Sequence, residues 1–327
     1  MLNYIIRRII YIVFVFLITS VIMFFIYNLA PVDQVSLYTE GMQQEMTPAD
    51  FERYKEVIRQ EMGLDQPLFV QYFKWMGRML TGDFGRSFVH RQPVARLIRA
   101  PMANTIRLNV ITMIFVFAIT IPLGITTAVK KGTVYDSSVQ VFTILGVSIP
   151  VFITALVVIL IFSILLQWFP IAGSNTPGIQ GSGPALFLDR ARHMVLPVFV
   201  MVITSLASLA RYIRATMIDA LRMDYVRTAR AKGLSEKVVI YSHAFRNSLI
   251  PFVTVLVGWF MGLFGGSILV ESIFSWNGMG LLMLSSIRLF DFAVALTVGM
   301  FYVFLGLIGN LIIDILYTVV DPRVRLQ

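Results

Sequence analysis

Uncharged runs alternate with charged ones along the whole chain, covering residues 9–30, 108–129, about 139–168, 194–210, 248–270 and 292–313. Each reaches or approaches the roughly 20 apolar residues that a helix needs to cross a hydrocarbon layer. The pattern predicts six transmembrane helices. The fourth run is the shortest, and Arg211 lengthens it by carrying its guanidinium to the interface on an apolar stem. Arg7 and Arg8 precede the first run as they would in a signal peptide. Its 22 uncharged residues exceed a usual h-region and no A-x-A site follows, so an uncleaved anchor is expected.

Two amphipathic runs lie between the first two spans. Thr47, Pro48 and Asp50 have the spacing of an N-cap, a first helical position and a capping-box acid, and predict a helix to Gly63 with Phe51, Tyr54, Ile58 and Met62 on one face. Residues 67–80 predict a second helix, with Leu68, Tyr72, Trp75 and Met79 on its stripe and turns at Gly82 and Gly85. The expected organisation is an N-terminus and first span over 1–30, an extracytoplasmic helical insertion over 31–107, and a core of spans two to six over 108–313. Within that core 211–247 is a cytoplasmic loop, and 314–327 is a cytoplasmic tail. Residues 170–192, rich in Gly, Pro and Ser, are expected to be irregular.

Composition agrees: 57% of residues are hydrophobic and 14% charged, against about 25% charged in soluble domains. The net charge of +9 follows the positive-inside rule rather than pointing to nucleic acid. Loops on the side of the N-terminus hold 14 basic and 6 acidic residues, which predicts that both termini are cytoplasmic.

Candidate chemistry is sparse. The chain has no cysteine, so thiolate metal sites and thiol nucleophiles are excluded. His90, His193 and His243 are separated, no H-E-x-x-H or G-x-S-x-G occurs, and without a Gly-Lys dipeptide there is no P-loop. No metal, cofactor or catalytic residue is expected. Glu271 and Asp314 alone approach the spans, both at span ends, whereas ion-coupled carriers place ionisable groups at the midplane. Gly258, Gly262 and Gly266 share one face of the fifth run, and Gly299, Gly306 and Gly309 mark the sixth, both expected to pack closely on neighbouring helices. Pro122, Ser148 and Pro150 are expected to break the regularity of spans two and three, with the freed backbone groups facing protein or water. Ser148, Pro150, Gly262, Gly266 and Glu271 are the candidate translocation-pathway residues.

One segment stands apart: DYVRTARAKGLSEKVVIYSHAFRNSLIP, residues 224–251. Asp224 is an expected N-cap, Gly233 an expected left-handed C-cap with Leu234 packing back, and Ser235 a second N-cap whose neighbour Glu236 complements the helix dipole. Val238, Tyr241 and Phe245 recur on one side, and Pro251 sits where a helix begins or bends. Two short helices around a glycine corner make a rigid knob. Such a knob can fill a partner's groove with Tyr225, Val238, Tyr241 and Phe245 as anchors. It can equally serve as a basic loop that only orients the chain and touches anionic lipid.

The segment resembles the cytoplasmic EAA loop of the permease subunits of ATP-binding-cassette importers, and RTARAKGLS followed by HAFRNSLIP is similar to the form in the dipeptide and oligopeptide branch. Arg227, Thr228 and Ala229 stand where the family pattern has Glu-Ala-Ala, so the glutamate is missing. QYFKWMGRMLTGDFGRSF (71–88), PVFITALVVILIFSILLQWFPIAG (150–173), LVESIFSWNGMGLL (269–282) and DPRVR (321–325) resemble, in order, the first permease subunit of peptide importers. WNGMG at 276–280 departs from the family, which more often has a proline before the glycine.

The resemblance implies an all-α type I importer permease fold in a bacterial or archaeal cytoplasmic membrane. It implies a second homologous permease, two cytoplasmic ATPases and an extracytoplasmic peptide-binding protein as partners, with lipid around the spans. ATPase coupling would fall to Tyr225, Arg227, Thr228, Ala229, Arg230, Gly233, Leu234, Ser235, Val238, Tyr241, Phe245, Arg246, Asn247 and Pro251. A stand-alone carrier or channel is the alternative outside the family; a nickel complex or glutathione is the alternative cargo within it.

Overall fold

The computed structural model describes residues 2–29, 33–39, 46–61, 63–179, 183–249 and 252–320. Among these the chain is helical, with one isolated bridge between Arg86 and Pro93 and no strand. The helices are α1 (Leu2–Asn28), α2 (Gln34–Tyr38), α3 (Pro48–Glu61), α4 (Leu68–Leu80), α5 (Val94–Leu97), α6 (Arg99–Val129), α7 (Val134–Ser148) and α8 (Val151–Ile159), which runs on as a π-helix over Leu160–Leu165. There follow α9 (Pro184–Leu221), α10 (Asp224–Ala231), α11 (Glu236–Val238), a second π-helix over Val239–Phe245, α12 (Arg246–Ser248), α13 (Phe252–Gly262), α14 (Ile268–Ile273), α15 (Met279–Arg288) and α16 (Phe292–Val320).

Among the described residues four helices are long and apolar enough to span a membrane: Ile6–Asn28, Val94–Val129, Pro184–Leu221 and Phe292–Leu316. The third predicted span is a pair, α7 and α8, bent by 96°. Ile149 and Pro150 are both extended there, because the proline ring disfavours helix at the residue before it. The fifth run is not one helix: α13 has 11 residues and ends at Gly262, and α14 begins at Ile268. Pro122 and Pro197 lie inside α6 and α9 without ending them. The irregular loop is also shorter than expected, since α9 begins at Pro184 and takes Arg190 and Arg192 onto the helix, while Thr176 closes the loop by donating its amide and hydroxyl to Asp189.

Contacts divide the chain into two units, Met1–Pro101 with Leu282–Ile308 and Leu326–Gln327, and Met102–Leu281 with Gly309–Arg325. In the first unit the Thr47 hydroxyl caps α3 at the Asp50 amide, as its spacing predicts. Met62 falls outside the described residues. Helix α4 packs on α1: Tyr72 and Ser20 share a buried 2.9 Å hydrogen bond, and Phe24 meets the Tyr72 ring edge-on. Met76, one turn past Tyr72, is buried too, so the apolar stripe of α4 is wider than its sequence spacing suggests.

The core of the second unit lies between α6 and α9. Leu108, Val116 and Ile125 of α6 share one buried cluster with Leu209, Ile213 and Met217 of α9, held by close packing because lipid tails are as apolar as these side chains. Gly124 permits the approach, because a Cβ there would lie 2.6 Å from Ile213 Cγ2. At 38 residues α9 is about 57 Å long at 1.5 Å per residue, nearly twice a hydrocarbon core of about 30 Å. It is therefore longer than a span requires.

Candidate functional site

The C-terminal end of α9 carries the knob. After α9 the chain turns at Arg222 and Met223 and forms α10, whose buried Val226 and Ala229 join the same cluster as Met217 and Ala220. The cap differs from expectation: Met223 is the extended residue before the helix, and Asp224 is the first helical residue, where its charge complements the dipole. Gly233 adopts φ +75°. Its amide donates to Arg230 O at 2.9 Å and that of Leu234 to Ala229 O at 3.3 Å, the paired bonds of a Schellman turn. Leu234 does not pack back on α10 and is exposed.

Ser235 is extended and precedes α11, but its hydroxyl makes no capping bond. The corner is closed instead by a pair that one-dimensional inspection missed: Arg230 donates from Nε to Glu236 Oε1 at 2.9 Å and from Nη2 to Oε2 at 3.2 Å. Past α11 the helix widens into the π-helix, which turns Val239 and Ala244 fully inward. Sequence spacing assumed 3.6 residues per turn, and the π-turn shifts the faces. Phe245 consequently packs against the core instead of facing outward. Ala229 is buried as well, so neither is a surface anchor.

What remains outward is an apolar patch of Tyr225, Leu234, Val238 and Tyr241, each 38–48% exposed. Arg227, Thr228, Arg230, Arg246 and Asn247 are exposed around it, with Gly233 and Ser235 at the corner. Burial pushes the Tyr225 phenol above its ordinary pKa, partly offset by a hydrogen bond with Asn247, so it remains a neutral donor near neutrality. Pro251 lies outside the described residues.

Of the expected pathway residues, Gly262 and Gly266 line one cavity and Gly266 lies against Glu271. Ser148 and Pro150 are exposed at the bend between α7 and α8, the Ser148 hydroxyl returning to Ile144 O. Glu271 is buried rather than pathway-facing: Oε2 accepts from the amides of Gly280 at 2.7 Å and Leu281 at 3.0 Å, and Oε1 from Thr105 at 2.8 Å. Gly266 makes a backbone approach, since a Cβ there would lie 2.1 Å from Gly280 N. Gly258 and Gly262 do not, because nothing lies within 4 Å of their Cβ positions. The close-packing expectation for that stripe therefore holds at one glycine of three. On α16, Gly299 and Gly309 approach Met23 and Met261, and Gly306 meets open space. Among the described residues no group of three His, Cys, Asp or Glu side chains has metal-binding geometry.

The apolar helices and the bent helix pair among the described residues define a multi-pass membrane protein. The chain belongs to the binding-protein-dependent transport system inner membrane component family: the family's main domain matches residues 120–326 and its N-terminal membrane component matches 1–109. It is 37% identical over 326 residues to the oligopeptide transport system permease protein AppB of Bacillus subtilis (strain 168), covering 99% of this chain and all of that one. A putative peptide permease of Brucella suis biovar 1 (strain 1330) is 35% identical over 327 residues, and the glutathione transport system permease protein GsiC of Escherichia coli (strain K12) 33% over 325, each covering 99% of both chains.

Proposed function

We propose that this chain is one permease half of an ATP-driven peptide importer. It pairs with a second permease, receives peptide from an extracytoplasmic binding protein, and is worked by two cytoplasmic ATPases that grip residues 224–248. The observation that carries this reading is the knob itself, a buried-backed, glycine-cornered helix pair that leaves Tyr225, Leu234, Val238 and Tyr241 partly exposed. Contact with lipid headgroups requires basic charge but not a Schellman corner or a bidentate ion pair.

The mechanics follow from continuity. Val226, Ala229, Val239 and Ala244 share one buried cluster with Ile213, Met217 and Ala220 of α9 and Phe252 of α13. A push on the knob is thus delivered to two spans at once, because a packed core transmits displacement instead of absorbing it. Nucleotide-driven closure of the ATPases moves the knob, and the spans switch the route between outward and inward access. The chain performs no bond chemistry in this scheme. Both termini are cytoplasmic, on the side of the ATPases.

Peptide is the preferred cargo because the oligopeptide and peptide permeases match end to end at 37% and 35% identity. The GsiC match at 33% makes glutathione the second candidate. Proteoliposomes containing all the subunits should take up labelled peptide only with ATP and binding protein. Peptide flux through this chain alone at transporter rates would overturn the reading, and uptake of glutathione but no other peptide would replace the cargo.

A further inference from the structure

Beside the break in the fifth run, α6, α9 and α13 border a cavity of about 290 Å³. Its wall carries the Thr112, Ser205 and Ser267 hydroxyls, the Asn109 amide and the Trp259 indole, and no charged side chain. Gly258 and Gly262 also line it, and open space at both Cβ positions means that they preserve volume instead of seating a helix of this chain. The rim is fixed by Asn109, whose Nδ2 lies 3.0, 3.1 and 3.0 Å from the carbonyl oxygens of Gly262, Leu263 and Gly265. The Gly262 carbonyl also accepts the Gly265 amide at 3.0 Å, so the turn where α13 stops is held by both side chain and backbone.

We propose that this cavity is the seat that the subunit offers to passing cargo, and that it accepts one or two uncharged residues of a peptide. The inference rests on the importer reading above and adds where the cargo sits and which part of it is recognised. The Asn109 amide nitrogen and the Thr112 and Ser267 hydroxyls are engaged within the chain, which leaves the Ser205 hydroxyl to pair with an N–H or C=O group of a peptide backbone, while the indole, Met201 and glycine walls match a small or apolar side chain. A charged side chain would lose its water there without gaining a counter-ion, which is strongly unfavourable. The volume equals about ten waters at roughly 30 Å³ each, enough for a short stretch and too little for a long peptide in full.

The test uses the complete importer in proteoliposomes. The chain has no cysteine, so Ser205→Cys supplies its one thiol, with Ser138→Cys on α7 as a reference position. A transported neutral peptide should slow alkylation of Ser205→Cys by a neutral maleimide about tenfold and leave Ser138→Cys unaffected; Gly258→Leu and Gly262→Leu should lower uptake of bulky neutral peptides about tenfold and of glycine-rich ones much less, as expected when pocket volume is removed. Absence of protection, or an equal loss for all peptides, overturns the proposal. So does loss of the second permease from purified Gly258→Leu complexes, which would make this face a subunit seam. The wild-type complex separates the two levels: no peptide uptake there overturns the importer reading and this inference with it, whereas wild-type uptake without protection or size grading overturns this inference alone.

Discussion

Arg214 clamps Asp136 through two hydrogen bonds, Nε to Oδ1 at 2.7 Å and Nη2 to Oδ2 at 2.6 Å, tying the C-terminal part of α9 to the first turn of α7. The carboxylate is nearly buried and also accepts the Gly132 amide. The geometry is bidentate and planar, which guanidinium provides and ammonium does not.

Removing one partner of such a pair should harm more than removing both. Arg214→Ala leaves a buried carboxylate with little compensation and should cost about 3 kcal/mol, the lower end for a broken buried pair because the arginine is partly exposed. Thermal unfolding in detergent should show Asp136→Ala/Arg214→Ala to be more stable than Arg214→Ala. A double variant less stable than the single one would mean that the pair does not act as a unit.

At the knob's corner the constraint is on the backbone alone. Nothing crowds a Cβ at Gly233, so the effect of substitution should follow tolerance of φ +75°. Gly233→Asn should keep ATPase co-purification near wild type, and Gly233→Val should lose it with membrane insertion intact. Equal retention by both variants would detach the corner from ATPase docking.

Arg230 and Glu236 form an exposed pair, so Arg230→Ala should change stability by about 0–1 kcal/mol. Its effect should appear in ATP-driven uptake, because the pair sets the angle between α10 and α11. A stability loss of several kcal/mol with normal uptake would reverse this assignment.

Glu271 should be a folding residue. Glu271→Ala strands the Gly280 and Leu281 amides and the Thr105 hydroxyl, and about 1–3 kcal/mol per stranded buried group predicts severe loss of folded yield. Gly278→Ala should fail for the complementary reason, since its Cβ would lie 2.5 Å from the Glu271 carboxyl group. A stable Glu271→Ala protein with altered cargo preference would return this residue to the pathway.

Gly124→Ala and Gly299→Ala provide an internal comparison. The first drives a Cβ into the branched, buried Ile213 and should cost about 1–3 kcal/mol; the second meets the flexible end of Met23 and should cost less. Unfolding midpoints of the two purified variants decide the order.

By itself the sequence determined most of the apolar runs, the α3 cap, the turns at Gly82, Gly85 and Gly233, and the helix pair around the Gly233 corner. These depend on hydropathy and φ preference, which are carried by a residue and its near neighbours. Tertiary structure decided the rest: the π-turn that moved Phe245 inward, the split of the fifth run, and which glycines face a neighbour and which face space. Glu271 shows why, as it looked like an interfacial acid from its position and is held by Thr105, 166 residues away. Burial and hydrogen-bond satisfaction are properties of assembled surfaces, and no local window of the chain contains both sides of them.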